Sequence, residues 1–578
     1  MLNIISISRF TSHITSLHIL LSQLTIGSLL FYLLFVKNIT PFYYSIFAIL
    51  LSLFPIISIK RLTTKTILLH SFVLFISLRL IYFFATQFKV IPQSDPYWDL
   101  AVIKIFISEN KVAPINKPLI PVPAEILSQY SSWPLLHLIE MINIMISNVD
   151  LYLFHMLFPL LASSILFIFI YLIIKEVASR LKLSLKLMYF TLLLVAVDPT
   201  NIYFTTIAIR QLMGLFFFTI IIFLLIRLQT YKDKAIIVLL FIMLSSIVYA
   251  HHWSTATLIL TLAGLIALKS VYTKMHTTLF LVCVLSTVIW WTTYGQIISE
   301  TPFFRSSFPF RFNLYENLKL TSYPTELTPS WAVILLNIRN ILLYIPSLIG
   351  CYLLYKKYTN NEVSLLVVML FVIIIITGLL NLISSGGEFV RVFMLFGTII
   401  AIMTSYTYFR LFNYIRINEN YMFVIFVFIG IVSFFGLWGN SYIPLHLYDK
   451  SIDDLMIGEH NYRISSSQLI LINEMISNLT DINRIVTDNI HPLIVYGKPA
   501  IYNKVVPFLY TIPTKEHNNI IVSFDNLYIY KYFYGLHFQR HYIGIEPTER
   551  ILIKDMLNER LDTFNRIYSD SLGVRMWS

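Results

Sequence analysis

The sequence predicts a mainly α fold: a polytopic bundle of about thirteen membrane-spanning helices, with interfacial helices in its first long outer loop and a small C-terminal α/β soluble domain. Three observations predict it. Hydrophobic residues make up 57% of the 578-residue chain and charged residues only 12%, which is too apolar for a soluble protein. Apolar runs such as LLSQLTIGSLLFYLLFV (20–36) recur at the ~18–20 residues that a helix needs to cross a bilayer. The basic charge is confined to alternate connections between those runs.

The spans fall at 19–36, 42–59, 66–86, 151–174, 187–204, 210–228, 235–250, 254–270, 277–295, 332–355, 363–383, 391–410 and 421–439. The N-terminal segment and the connections 60–65, 175–186, 227–234, 269–276, 356–362 and 410–419 hold 17 Lys and Arg against Glu176, Asp233, Glu362 and Glu419. Those segments thus carry +13 of a net charge of +12, and everything else sums to −1. That distribution excludes a basic nucleic-acid surface and matches the positive-inside rule, with the N-terminus inside and everything after residue 440 outside. Residues 1–65 form an N-terminal transmembrane hairpin, 66–439 a membrane core with its outer loop at 87–150, and 440–578 an extracytoplasmic α/β domain.

The loop 87–150 carries SDPYWDLAVIKIFISEN (94–110), a Pro-rich stretch PINKPLIPVPAE (114–125) and WPLLHLIEMINIMI (133–146). The last run is too short to span and reads as an amphipathic helix on the outer surface. After residue 440 charges return. Short β-rich runs (RIVTD, LIVYG, NIIVSF, LYIYKYF, VRMW) alternate there with the helical patterns SSSQLILINEMISNL and ERILIKDMLNERLDTF. Cys283 and Cys351 lie inside apolar runs, which fits neither a disulfide framework nor a thiolate metal site. No Gly-rich phosphate loop, HExxH, CxxC or GxSxG motif is present.

Unusual polar residues gather at the predicted outer connections. Asp95 and Asp99 follow the third span, and Asp198 and Arg210 flank a short turn. His251 and His252 sit in YAHHWS, Glu300 in the loop 296–331, and Glu388 with Arg391 in SSGGEFVRVF. Arg79 lies about two turns inside the third span, where it either snorkels outward or pairs with an acid. Ionisable residues at membrane depth are functional candidates. Each also has a structural reading: Asp95 and Asp99 as solvated helix caps, Arg210 as a snorkelling residue, the His pair as structural, and Glu388 with Arg391 as a local i, i+3 ion pair.

In order and spacing, DPYWDLAVIKIFISEN, WPLLHLI, VDPTNIYFTTIAIRQLMGL, HHWSTATLILTLAGL and GGEFVRVFMLFG resemble the GT-C class of polytopic membrane glycosyltransferases, archaeal members above all, over roughly residues 66–411. The chain is more distantly similar to oligosaccharyltransferases and protein mannosyltransferases, and RIYSDSLGVRMW looks like the closing strands of such enzymes. The resemblance implies transfer of a sugar from a polyprenyl-phosphate donor to a glycan or protein acceptor at the outer face of the plasma membrane. It gives Asp95 the role of base with Asp99 beside it, and gives the donor phosphate to Arg210, His251, His252 and Arg391, with Glu388, Arg79 and Glu300 in support. ISE (298–300) and WWTTYG (290–295) resemble two oligosaccharyltransferase motifs, so en bloc glycan transfer is the alternative. The chain departs from that subgroup: WWTTYG ends a span and lacks its Asp, and Arg210 and Gln211 stand where a second acidic motif is expected. No cofactor is certain, and a divalent metal ion is left open. A non-enzymatic lipid or solute transporter is the other alternative, although no internal repeat of the transporter kind is visible.

Overall fold

In the computed structural model, the described residues are 63–85, 95–113, 115, 130–231, 233–268, 273–294, 330–358, 360–384, 394–415, the isolated residues 428–429 and 432, and seven short strands beyond residue 455. The expected spans 19–36 and 42–59 lie outside them, as does most of 421–439. The described helices are α1 (Thr64–Ala85), α2 (Asp95–Glu109), α3 (Leu135–Ser147), α4 (Leu151–Arg180), α5 (Leu185–Ala196), α6 (Pro199–Thr205), α7 (Arg210–Tyr231), α8 (Lys234–Ala250), α9 (His252–Ala267), α10 (Thr273–Thr293), α11 (Ser330–Lys357), α12 (Glu362–Ser384) and α13 (Gly397–Ile415). Among the described residues, four stretches are long and apolar enough to cross a membrane: Leu151–Arg180, Arg210–Gln229, Asn337–Lys357 and Glu362–Leu379. A 30-residue helix such as α4 is ~45 Å long. Large apolar side chains stay exposed around the bundle, among them Leu161, Ile165 and Ile168 on α4 and Ile334, Ile341 and Leu348 on α11. A soluble monomer rarely shows so broad an apolar belt, and a lipid-facing one requires it.

Local chemistry sets the helix ends. Thr63 and Thr66 exchange hydroxyl-to-amide bonds (2.9 and 3.2 Å) and start α1. Asp150, Ser184 and Asp233 cap α4, α5 and α8 by accepting from Leu153, Leu187 and Ala235. Asn110 and Asn148 take left-handed φ values of 50° and 52° after α2 and α3, and the Lys111 amide bonds back to the Phe106 carbonyl at 3.2 Å, a Schellman stop.

One expected span is corrected. Residues 187–204 are not a single helix but α5 and α6, broken at Val197 and Asp198. Pro199 has no N–H to continue α5 and is well placed at the first position of a new helix. Asp198 caps that helix, its Oδ1 accepting from the Thr200 amide at 3.3 Å.

Pro346 causes no comparable break in α11. The carbonyl it strands, on Leu342, accepts instead from Tyr408 Oη of α13 at 2.9 Å. Thr404 and Thr407 donate to the neighbouring carbonyls of Leu343 (2.8 Å) and Pro346 (2.5 Å). In lipid no water could satisfy these groups, so the neighbouring helix must. Gly350 lets the two helices come this close, because a Cβ there would lie 2.1 Å from the Met403 carbonyl oxygen.

Beyond residue 455, β1 (Met456–Ile457) pairs with β2 (Tyr462–Arg463). A second sheet has five strands in the order β4 (Val505–Pro507), β3 (Arg484–Thr487), β5 (Asn519–Ser523), β7 (Arg575–Trp577), β6 (Arg566–Ser569). β3 is parallel to β4 and β5, and β7 is antiparallel to β5 and β6. RIVTD, NIIVSF and VRMW thus hold strands, and RIYSDSLGVRMW closes on itself as β6 and β7. LIVYG, LYIYKYF and the two expected helices lie outside the described residues.

Candidate functional site

Among the described residues, the helix ends α1-C, α4-N, α5-C, α7-N, α8-C, α9-N, α10-C, α11-N and α13-N bring Arg79, Asp99, Asp198, Arg210, His251 and His252 to one end of the bundle. The link is made by α2 and α3, both from the loop 87–150. Asp95 is the first residue of α2, and its side chain lies outside the described residues. Asp99 is one turn further along, on the same face. It is not a solvated cap: its side chain is fully buried. Asp99 Oδ1 lies 2.8 Å from His137 Nε2 and 3.1 Å from Arg210 Nε. Arg210 in turn lies over Tyr130, its guanidinium carbon 3.7 Å from the ring centroid. Asp99 Oδ2 and His137 Nδ1 have no hydrogen bond among the described residues.

α3 is amphipathic in an inverted sense. His137 and Glu140, at i and i+3, face inward and are fully buried, while Ile142, Met145 and Ile146 are 50, 69 and 81% exposed. Water would favour the reverse arrangement, so this one requires an apolar exterior. Glu140 Oε2 lies 2.6 Å from His155 Nδ1 near the start of α4. His155 Nε2 donates to the Pro96 carbonyl at 2.9 Å, back in the first turn of α2. α2, α3 and α4 thereby form a closed ring of buried polar contacts. Lys104, on α2, has its pKa pushed down to about 8 by burial, partly offset by Asp150.

His251 ends α8 and caps α9, its Nδ1 accepting from the Ser254 amide at 3.4 Å. His252 lies against Trp133, ring centroids 4.6 Å apart. Trp290 donates to the Ser132 carbonyl at 3.2 Å and stacks on Tyr294 at 4.1 Å, so WWTTYG braces the segment that leads into α3. Gly214 of α7 packs against this turn, where a Cβ would lie 2.2 Å from Ser254 Oγ and 2.9 Å from His251 Cβ.

Arg79 corrects a second expectation, since it neither snorkels nor contacts an acid. It is fully buried, and it donates to Thr205 Oγ1 (2.7 Å), Asn201 Oδ1 (2.7 Å) and the Phe75 carbonyl (2.8 Å). It thus ties α1 to α6 just past the helix break. Asp198, at the break, is ion-paired to the buried Arg339 of α11 and lines a small cleft with Thr200, Tyr344 and Gly397.

The structure therefore joins Asp99 to Arg210 directly and sets the His251–His252 turn beside Trp133, just ahead of α3. Glu300, Glu388 and Arg391 lie outside the described residues. Sequence reasoning did not single out Tyr130, His137, Glu140, His155 or Arg339. The signal for two of them was present in WPLLHLIEMINIMI, where the only ionisable residues are a His and a Glu three apart in an apolar helix. Among the described residues no group of three or more His, Cys, Asp and Glu is arranged to hold a metal ion. The Asp99 carboxylate is already shared between His137 and Arg210, which leaves Oδ2 as its open acceptor.

No family model matches the chain, and no curated protein matches it. Solved structures do. An apo oligosaccharyltransferase from Archaeoglobus fulgidus matches at 12% identity and TM-score 0.46, covering 77% of this chain and 64% of its own. AglB, an archaeal oligosaccharyltransferase from the same organism, in complex with an inhibitory peptide and a dolichol-phosphate, matches at 12% identity and TM-score 0.48, covering 89% and 74%. ArnT from Cupriavidus metallidurans bound to undecaprenyl phosphate matches at 10% identity and TM-score 0.49, covering 87% and 97%. The chain thus spans less than two thirds of the length of the first of these.

Proposed function

We propose that this chain is a membrane-embedded glycosyltransferase of the GT-C class, moving a sugar from a polyprenyl-phosphate donor to an acceptor hydroxyl at the non-cytoplasmic face. The observation that carries the reading is the buried Asp99–His137–Arg210 cluster one helical turn beyond Asp95, at the bundle end where the helix termini converge. Burying a carboxylate, an imidazole and a guanidinium together costs several kcal/mol before their mutual attraction returns any of it. A site that only had to hold helices together would be served as well by apolar side chains.

In the reaction, Asp95 takes the proton of the acceptor hydroxyl as its oxygen bonds to the sugar C1. The bond from C1 to the phosphate oxygen breaks, and polyprenyl phosphate leaves with the electron pair. Arg210 meets the growing negative charge on that phosphate, positioned by its ion pair with Asp99 and by the Tyr130 ring. Asp99 serves as the orienting carboxylate. His251, His252 and Arg391 complete the donor site, and Glu388, Arg79 and Glu300 support it. A divalent metal ion, if bound, would be held by Asp95 and Asp99 and would supply Lewis-acid stabilisation of the phosphate charge. The domain at 440–578 lies on the same, non-cytoplasmic side as the loop 87–150.

The test is sugar transfer from a radiolabelled polyprenyl-phosphate donor in membranes. Asp95→Asn is expected to lose at least ~10²-fold in rate at unchanged expression, and Arg210→Ala to raise the donor KM. Activity within twofold of the parent in Asp95→Asn overturns the assignment. A cysteine placed in 87–150 should label from outside; labelling from the cytoplasm overturns the orientation.

A further inference from the structure

We propose that His155 and Glu140 are positioning residues for the reacting carboxylate, a buried imidazole–carboxylate pair that fastens the first turn of α2. The proposal rests on the reading of Asp95 as the base. Pro96 immediately follows Asp95, and its carbonyl is the group that His155 Nε2 holds at 2.9 Å. A carbonyl only accepts, so Nε2 must carry a proton. The other ring nitrogen, Nδ1, meets Glu140 Oε2 at 2.6 Å. All three partners are packed away from solvent, with His155 and Glu140 at 0% exposure and Pro96 buried.

A helix begins with four amides that find no partner within it, and its first turn frays most readily. α2 must hold still there, because its first residue is the proposed base. The structure supplies two fasteners one turn apart. His137 grips Asp99 directly, and Glu140 grips the first turn through His155. Both originate on the same inward face of α3, so a single helix determines where the start of α2 lies relative to α4. Neither His155 nor Glu140 needs to touch a substrate for this. Their effect falls on geometry at the reacting atom, where a displacement of about 1 Å costs ~10²-fold in rate.

The experiment uses the full-length protein in nanodiscs, with steady-state sugar transfer and amide hydrogen exchange measured on the same samples. His155→Ala is expected to lower kcat about 10- to 100-fold while donor and acceptor KM stay within about twofold, and to speed exchange in the peptide covering 95–103. His155→Gln keeps a donor on the Nε2 side, and Glu140→Gln keeps an acceptor for Nδ1. Each should recover most of kcat and of the protection. Equal losses in the Ala and Gln variants of His155, a change confined to KM, or unchanged exchange at 95–103 in His155→Ala would each overturn the proposal. If the parent protein transfers no sugar, the functional reading falls, and the exchange measurement still decides whether the pair fastens α2.

Discussion

At one end of the bundle Glu176 holds Arg180 at 3.3 Å and Arg227 at 3.5 Å, with the two guanidinium side chains 41 and 38% exposed. Tyr358 and Asn361 reach the carbonyls of Leu181 and Arg180 there, so three of the basic connections, 175–186, 227–234 and 356–362, meet on one surface. At the other end Asp99, His137, Glu140, His155 and Arg79 are all fully buried. The same residue types serve two purposes. Exposed pairs cost little to form and contribute little; their value lies in the sign of the charge that sets orientation. Buried ones are costly wherever a partner is missing, and an arrangement of that kind persists where geometry matters more than stability.

Breaking single contacts at each end sharpens the contrast, and the largest effect is expected at Asp99. Asp99→Ala leaves Arg210 and His137 without their shared carboxylate and should destabilise the protein by about 3–5 kcal/mol, read from chemical or thermal unfolding in detergent. Coupling to His137→Ala in a double-mutant cycle should be strong. If both single variants unfold like the parent, the buried cluster is not what holds this end. Gly214→Ala comes next. Its Cβ meets Ser254 Oγ and His251 Cβ inside contact distance, so about 1–3 kcal/mol of overpacking is expected, with the donor KM rising as the His251 turn shifts.

Lys104 gives a slope rather than a loss. Its folded pKa, about 8, lies below the ordinary value of 10.5 because burial disfavours the ammonium. Between those two values the unfolded chain binds the extra proton, so stability should rise as pH increases from about 8 to 10.5 and be flat from this source below 8. Lys104→Met should remove that rise; an unchanged profile would show that the ammonium is solvated. The smallest effect is expected at the opposite end. Arg180→Ala should cost at most about 1 kcal/mol, and less at high salt.

Much of this division was legible in the sequence. The positive-inside count locates the basic connections, three of which the structure brings together, and the polar residues at the outer connections include Arg210, which the structure sets beside Asp99. The misses have particular causes. The run 187–204 is apolar enough to read as one span, and hydropathy does not register that Pro199 lacks the N–H a continuous helix needs. For Arg79 the sequence offers snorkelling or an acidic partner, because its actual partners, Asn201 and Thr205, are neutral and sit some 120 residues away, where no charge pattern reveals them. The sequence marks α3 as an amphipathic helix on the outer surface, a reading that gives its His137 and Glu140 no partners. Its inward face carries the contacts.

The bonds from α13 to α11 act as a register lock. Tyr408, Thr404 and Thr407 are matched to the carbonyls of Leu342, Leu343 and Pro346. Sliding one helix along the other by a turn would strand the Leu342 acceptor in a place without water and would part Thr404 and Thr407 from the carbonyls they meet. Both helices begin at the site end, with Arg339 on one and Gly397 on the other beside Asp198. Pro346 thus makes α11 dependent on a helix translated some sixty residues later. The cleft at Asp198 takes its final shape only once α13 has docked, so this part of the site is completed at a late step of membrane assembly.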